Sequence, residues 1–180
     1  MRPHWDRHWM DMAHLAAQMS TCAAGRRVGA VFVRDKRLLA TGFNGVPSGY
    51  PHPEVCQRRE LGVPSGEGLH LCVCAHAEAN GIANAARHGI GLADSTVYVT
   101  CQPCGACMGA LANVGIARVI FEGDYPDERS KAIAGYAGIT LERISDSRNE
   151  AASSPDTDAA GSATDDGSAS SNGSCSSCSA

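Results

Sequence analysis

Two short stretches hold the residue types that could do chemistry: His76-Ala77-Glu78 and Pro103-Cys104-Gly105-Ala106-Cys107. One imidazole and two thiolates form the donor set of a catalytic zinc, which takes three protein ligands and keeps a fourth position for water. His76, Cys104 and Cys107 are the candidate ligands. Two thiolates offset the charge of the ion, and the ion brings the pKa of its water down to about 7, which makes a nucleophile at neutral pH. Glu78 stands two residues beyond His76, so it points another way along a helix and is assigned the proton shuttle, not a ligand role. A fourth Cys or His ligand would close the site into a structural clip. Cys101 or Cys74 could supply it, which leaves a zinc-stabilised binding module as the alternative.

These residues need two helix starts. Cys104 and Cys107 are three apart and share a face on a first helical turn, with Pro103 in a position that suits a helix start. A helix N-terminus also favours thiolate over thiol. The alanine-rich run after His76 predicts a second helix over 76–88. Hydrophobic spacing predicts a first helix with Trp5, Met12, Leu15, Ala16 and Met19 on one stripe. Strands are expected at 28–33 and 38–43, joined as a hairpin by Arg34-Asp35-Lys36. After a long Gly- and Pro-containing loop at 44–75 come strands at 96–100, 117–121 and 139–142, and helices at 104–114 and 127–136. A hairpin followed by β/α alternation predicts a mixed sheet with helices on both faces.

The chain has 180 residues and 43% hydrophobic content, enough for one core. The domain is expected over 1–146. Residues 147–180 are rich in Ser, Gly, Ala and Asp, lack aromatics, and are expected to form a disordered tail. Within the tail Arg148 faces Glu150, Asp156, Asp158, Asp165 and Asp166, which accounts for the whole net charge of -4. Its Cys175-Ser176-Ser177-Cys178 has little structure expected around it, so a designed site is not inferred there. A near-neutral body argues against a nucleic-acid partner, which needs clustered Lys and Arg. No apolar run is long enough to span a membrane. The N-terminus lacks the apolar core of a signal peptide, so a cytoplasmic location is expected, with the nine cysteines used for metal before disulfides.

Read together, the motifs spell H-x-E followed by P-C-x-x-C, the signature of zinc-dependent nucleobase deaminases. Further stretches narrow it: Ser20-Thr21-Cys22, Val28-Gly29-Ala30-Val31, Ala40-Thr41-Gly42-Phe43-Asn44-Gly45-Val46-Pro47-Ser48-Gly49, Pro64-Ser65-Gly66, Leu71-Cys72, Tyr98-Val99-Thr100 and Gly123-Asp124-Tyr125-Pro126-Asp127. Through them the chain resembles the deoxycytidylate (dCMP) deaminase family of the cytidine deaminase-like superfamily. The resemblance implies a three-layer αβα sandwich with a mixed five-stranded sheet. It also implies zinc-dependent hydrolytic deamination of dCMP to dUMP and ammonia.

Carried over residue by residue, His76, Cys104 and Cys107 match the zinc ligands, Glu78 the proton shuttle, and Asn44 a contact to the sugar. Asn44-Gly45 is also a turn signal in its own right, and both roles can hold together. The family implies a possible second, structural zinc, for which Cys22, His52, Cys56 and Cys72 are candidates with Cys74 in reserve. The alternative is that these are buried small hydrophobes. A dCMP enzyme must also hold a phosphate dianion, and Arg26, Arg27, Arg58 and Arg59 are the loop candidates. Relatives imply a homo-oligomer, a hexamer, and control by dCTP and dTTP with Mg2+. A free-nucleoside deaminase and a deaminase of another base remain as alternatives.

Overall fold

The structure is a computed structural model, and it describes residues 3–23, 26–64, 68, 71–125 and 127–144. The expected tail at 147–180 and its Cys175–Cys178 pair lie outside the described residues.

The order is α1 (Trp5–Gln18), β1 (Gly29–Arg34), β2 (Arg37–Phe43), α2 (Gln57–Glu60), α3 (Ala77–Arg87), β3 (Thr96–Cys101), α4 (Gly105–Asn113), β4 (Arg118–Gly123), α5 (Glu128–Ala137) and β5 (Thr140–Arg143). One sheet forms in the order β2-β1-β3-β4-β5. β1 pairs antiparallel with β2 and β3, whereas β3–β4 and β4–β5 are parallel. The expected hairpin is present, and its turn residues Asp35 and Lys36 both take positive φ, as a tight two-residue turn requires.

Strand alternation sorts the core onto two faces. Ala30, Phe32, Val97, Val99, Val119 and Phe121 pack with Ala77 and Ala85 of α3, Met108 and Leu111 of α4, and Ala134 of α5. Val31, Val33, Tyr98 and Ile120 take the other face, against Trp9, Met10 and Ala13 of α1. The result is the mixed sheet between helical layers that the pattern predicts.

The face of α1 differs from expectation. Trp9, Met10, Ala13 and Ala17 are buried, while Leu15 is 62% and Met19 64% exposed. The cause is a close approach at the start of β1. A Cβ on Gly29 would run into the carbonyl oxygen of Ala13 and the backbone nitrogen of Ala17. Gly29 lets the helix backbone settle there, with Ala13 and Ala17 at the contact and Trp9 and Met10 buried on the same side.

A second close approach sets the start of α3. A Cβ on Gly42 would collide with the carbonyl oxygen of Ala77 and the backbone of Gly81. Gly81 in turn lies under the ring of Phe32. Because the obstacle is backbone, Gly42→Ala is expected to cost about 1–3 kcal/mol. A thermal melt of the purified variant checks this, with a melting point lower by several degrees as the expected result. An unchanged melting point would contradict the packing.

The long loop at 44–75 is closed at its base. Gly45 N–H donates to Ala75 O at 3.1 Å and Ala75 N–H donates to Gly45 O at 2.9 Å. This bridge returns the chain to the end of β2 just before His76, so a long excursion does not loosen the residue that follows it. The short α2 lies within the excursion, which the sequence pattern does not predict.

Candidate metal centre and active-site cleft

His76 occupies the N-cap of α3 and Cys104 the N-cap of α4, and neither side chain makes a capping hydrogen bond. Both are therefore free for other use. Cys107 follows on the first turn of α4. His76 Nδ1 lies 3.5 Å from Cys104 Sγ and 3.4 Å from Cys107 Sγ. A tetrahedral zinc with ordinary Zn–N and Zn–S bonds separates such donors by about 3.6 Å, so the three side chains fit the ion. All three ligand atoms lie within 4.8 Å of one another. Among the described residues neither Cys101 nor Cys74 joins this group. Three protein ligands without a fourth are the pattern of a catalytic zinc, not of a structural clip.

The charges suit a metal. A hydrogen bond from Cys107 draws the Cys104 thiol down to about 4, and its bond with His76 acts the same way. The same contact with Cys104 pushes the Cys107 thiol up, with burial adding to it. The Cys104 contact raises His76.

Glu78 sits on the first turn of α3, 4% exposed. Burial raises its carboxyl above the ordinary range, while its own backbone N–H pulls the other way. A carboxylate of raised proton affinity beside a metal group is the form a proton shuttle needs.

His76, Cys104 and Glu78 line a cleft of about 810 Å3 including its open mouth. Asn44 lines it too, and most of its amide is already engaged. Its Oδ1 accepts from Val28 N–H at 2.8 Å and lies 2.7 Å from Ser20 Oγ, and its Nδ2 donates to Arg26 O at 2.8 Å. Asn44 therefore ties Ser20, Arg26 and Val28 to the end of β2, a bracing role and not the Asn-Gly turn expected from the sequence. The Ser20-Thr21 pair is explained by the same junction: Thr21 Oγ1 accepts from Val46 N–H at 3.2 Å.

Of the four arginine candidates, Arg26 and Arg58 line the cleft and Arg27 and Arg59 do not. Arg26 Nη2 donates to Asp124 O at 3.3 Å. Arg58 Nη2 donates to Pro64 O at 2.8 Å, while its buried Nε has no hydrogen-bond partner among the described residues.

The second thiol group assembles differently from expectation. Cys22 and Cys72 come together with Cys74, and their ligand atoms lie within 4.8 Å. His52 is exposed and Cys56 is buried at the N-cap of α2, and neither belongs to that group. The path of the long loop decides this, and no residue pattern encodes it. Sequence reasoning also missed Gln102 and Tyr125 in the cleft wall. Both sit beside motif residues, Gln102 next to Pro103 and Tyr125 within the Gly-Asp-Tyr-Pro-Asp stretch.

Fold and site together define an α/β protein with a candidate metal-binding group at two helix starts. Residues 3–122 match the model of the cytidine and deoxycytidylate deaminase zinc-binding region. The deoxycytidylate deaminase of Mycobacterium phage D29 is 41% identical over 125 residues, covering 67% of this chain and 95% of that protein. The deoxycytidylate deaminase of Saccharomyces cerevisiae is 38% identical over 148 residues, covering 81% of this chain and 46% of that protein. Here the chain spans less than half the length of the yeast relative. The crystal structure of the dCMP deaminase from cyanophage S-TIM5, in complex with dCMP and dUMP, superposes with a TM-score of 0.67 at 27% identity, covering 80% of this chain and 99% of that one. The chain belongs to the cytidine and deoxycytidylate deaminase family.

Proposed function

We propose that this chain hydrolyses dCMP to dUMP and ammonia. The observation that carries the reading is the His76–Cys104–Cys107 group, with no fourth described protein ligand, beside the buried Glu78 in an open cleft. The phage and yeast relatives named above support the choice of substrate.

His76, Cys104 and Cys107 would hold zinc, which when bound would supply a Lewis-acidic position that acidifies water. Glu78 takes a proton from the attacking water. It gives that proton to ring N3, then takes the second proton from the new C4 hydroxyl and gives it to the 4-amino group, which leaves as ammonia. The oxygen of water ends as the 4-carbonyl of dUMP, so the atoms balance without any other reactant. Asn44 sets the loop that meets the sugar, its remaining Nδ2–H being the one free to donate. A second zinc, if held, would use Cys22, Cys72 and Cys74, a soft donor set that suits it. The described cysteines are free thiols, which fits a reducing compartment such as the cytoplasm. No helix among the described residues is long and apolar enough to cross a membrane. The hexamer and the dCTP/dTTP response with Mg2+ extend the same reading from the family resemblance.

Arg58, whose buried Nε has no hydrogen-bond partner among the described residues, and Arg26 are assigned to the phosphate. A hydrogen bond to a charged group contributes about 1.5–3 kcal/mol. Arg58→Ala is therefore expected to raise KM for dCMP by about 10- to 100-fold and to leave deoxycytidine turnover nearly unchanged. Steady-state kinetics on both substrates test this. An equal loss on both would remove Arg58 from phosphate recognition, and turnover of neither by the wild type would remove the proposed activity.

A further inference from the structure

Cys104 occupies a position where helices place Ser, Thr, Asp or Asn to cap their free N–H groups. Its sulfur is committed to the His76–Cys107 group and makes no capping bond. The N-terminus of α4 is instead served from elsewhere in the chain. Gly105 N–H, the first of the helix, donates to Asp127 Oδ2 at 2.8 Å. The other oxygen of the same carboxylate, Oδ1, accepts from Arg129 N–H at 3.0 Å and Ser130 N–H at 3.3 Å, capping α5. One carboxylate thus caps two helices.

The geometry leaves little slack. A Cβ at Gly105 would lie 3.1 Å from Arg129 Cβ, so a larger residue would have to push the α5 start back by a few tenths of an ångström. On the other side of Asp127, the preceding segment forms the cleft wall: Tyr125 lines it, and Asp124 O accepts from Arg26 at the cleft. The charge has the right sign, since a carboxylate is favoured at both helix N-termini.

Building on the zinc reading above, we propose that Asp127 is a positioning residue of the metal centre, fixing the Cys104–Cys107 turn against the β4–α5 wall of the cleft. It touches neither metal nor substrate and acts through Gly105.

The test separates this from an ordinary helix cap. Asn and Ser cap helices about as well as Asp. In Asp127→Asn one oxygen can still cap α5, but the amide N–H2 then faces Gly105 N–H, donor against donor. In Asp127→Ser the hydroxyl caps α5 and is too short to reach Gly105. Zinc affinity of the full chain would be measured by competition with a chromophoric chelator. Both variants are expected to bind zinc about 10- to 100-fold more weakly, the range found when a partner that orients a metal ligand is removed. Ile139→Val, which trims a buried side chain beside α5, is expected to bind zinc as the wild type does. Wild-type affinity in both Asp127 variants would overturn the proposal, and so would an equal loss in Ile139→Val. A wild-type chain that binds no zinc in the same titration would overturn the metal centre itself, which is a distinct result.

Discussion

Glu78→Gln is expected to lower dCMP turnover by about 100- to 10,000-fold, the range that a positioned acid–base group contributes, while zinc content stays at the wild-type level. The substitution keeps the shape of the side chain and removes its ability to take a proton. Glu78 is not part of the ligand group, so the metal is untouched. Its burial makes the comparison sharper. The site already raises the carboxyl because a charge there is poorly solvated. A neutral amide fits such a site at lower desolvation cost, so the melting point should hold or rise. Turnover near the wild-type rate, or zinc lost along with activity, would contradict the shuttle role.

Cys107→Ser should remove the metal and, with it, both activity and a measurable share of stability. A hydroxyl is a poor substitute for a thiolate at zinc. Zinc present at about a thousand times its Kd stabilises the folded chain by about 4 kcal/mol. For a domain of this size that is about 10 °C in melting point. Adding zinc to the stripped wild type should raise the melting point by about that amount, and adding it to Cys107→Ser should do little. The stripped wild type is expected to stay folded. Cys104 and Cys107 both contact His76 Nδ1, at 3.5 Å and 3.4 Å, so the three side chains keep polar partners in the stripped protein. A zinc-induced shift of equal size in both proteins would place the ion elsewhere.

The candidate site was legible in the sequence because its geometry is local. His76 and Glu78 sit on one helix start and Cys104 and Cys107 on another, and helix periodicity does the placing. The strands were legible for the same reason, with alternation matching the two faces of the sheet. What failed had a nonlocal cause. The stripe of α1 was misjudged because the deciding contact is with Gly29, a residue on another element. Cys74 in place of His52 and Cys56 follows from the route of a long loop closed by the Gly45–Ala75 bridge. The double cap by Asp127 links residues 22 apart through the turn of a different helix, and no spacing rule reaches that far.

Incubating the zinc-loaded chain with dCMP, CMP, deoxycytidine and dCTP in parallel, with Glu78→Gln as the blank, and following ammonia release tests the central claim most directly. Rapid ammonia release from dCMP, with dUMP formed in equal amount, and little from the other three, is the expected result. Silence on all four by a protein shown to hold zinc at His76, Cys104 and Cys107 would contradict it.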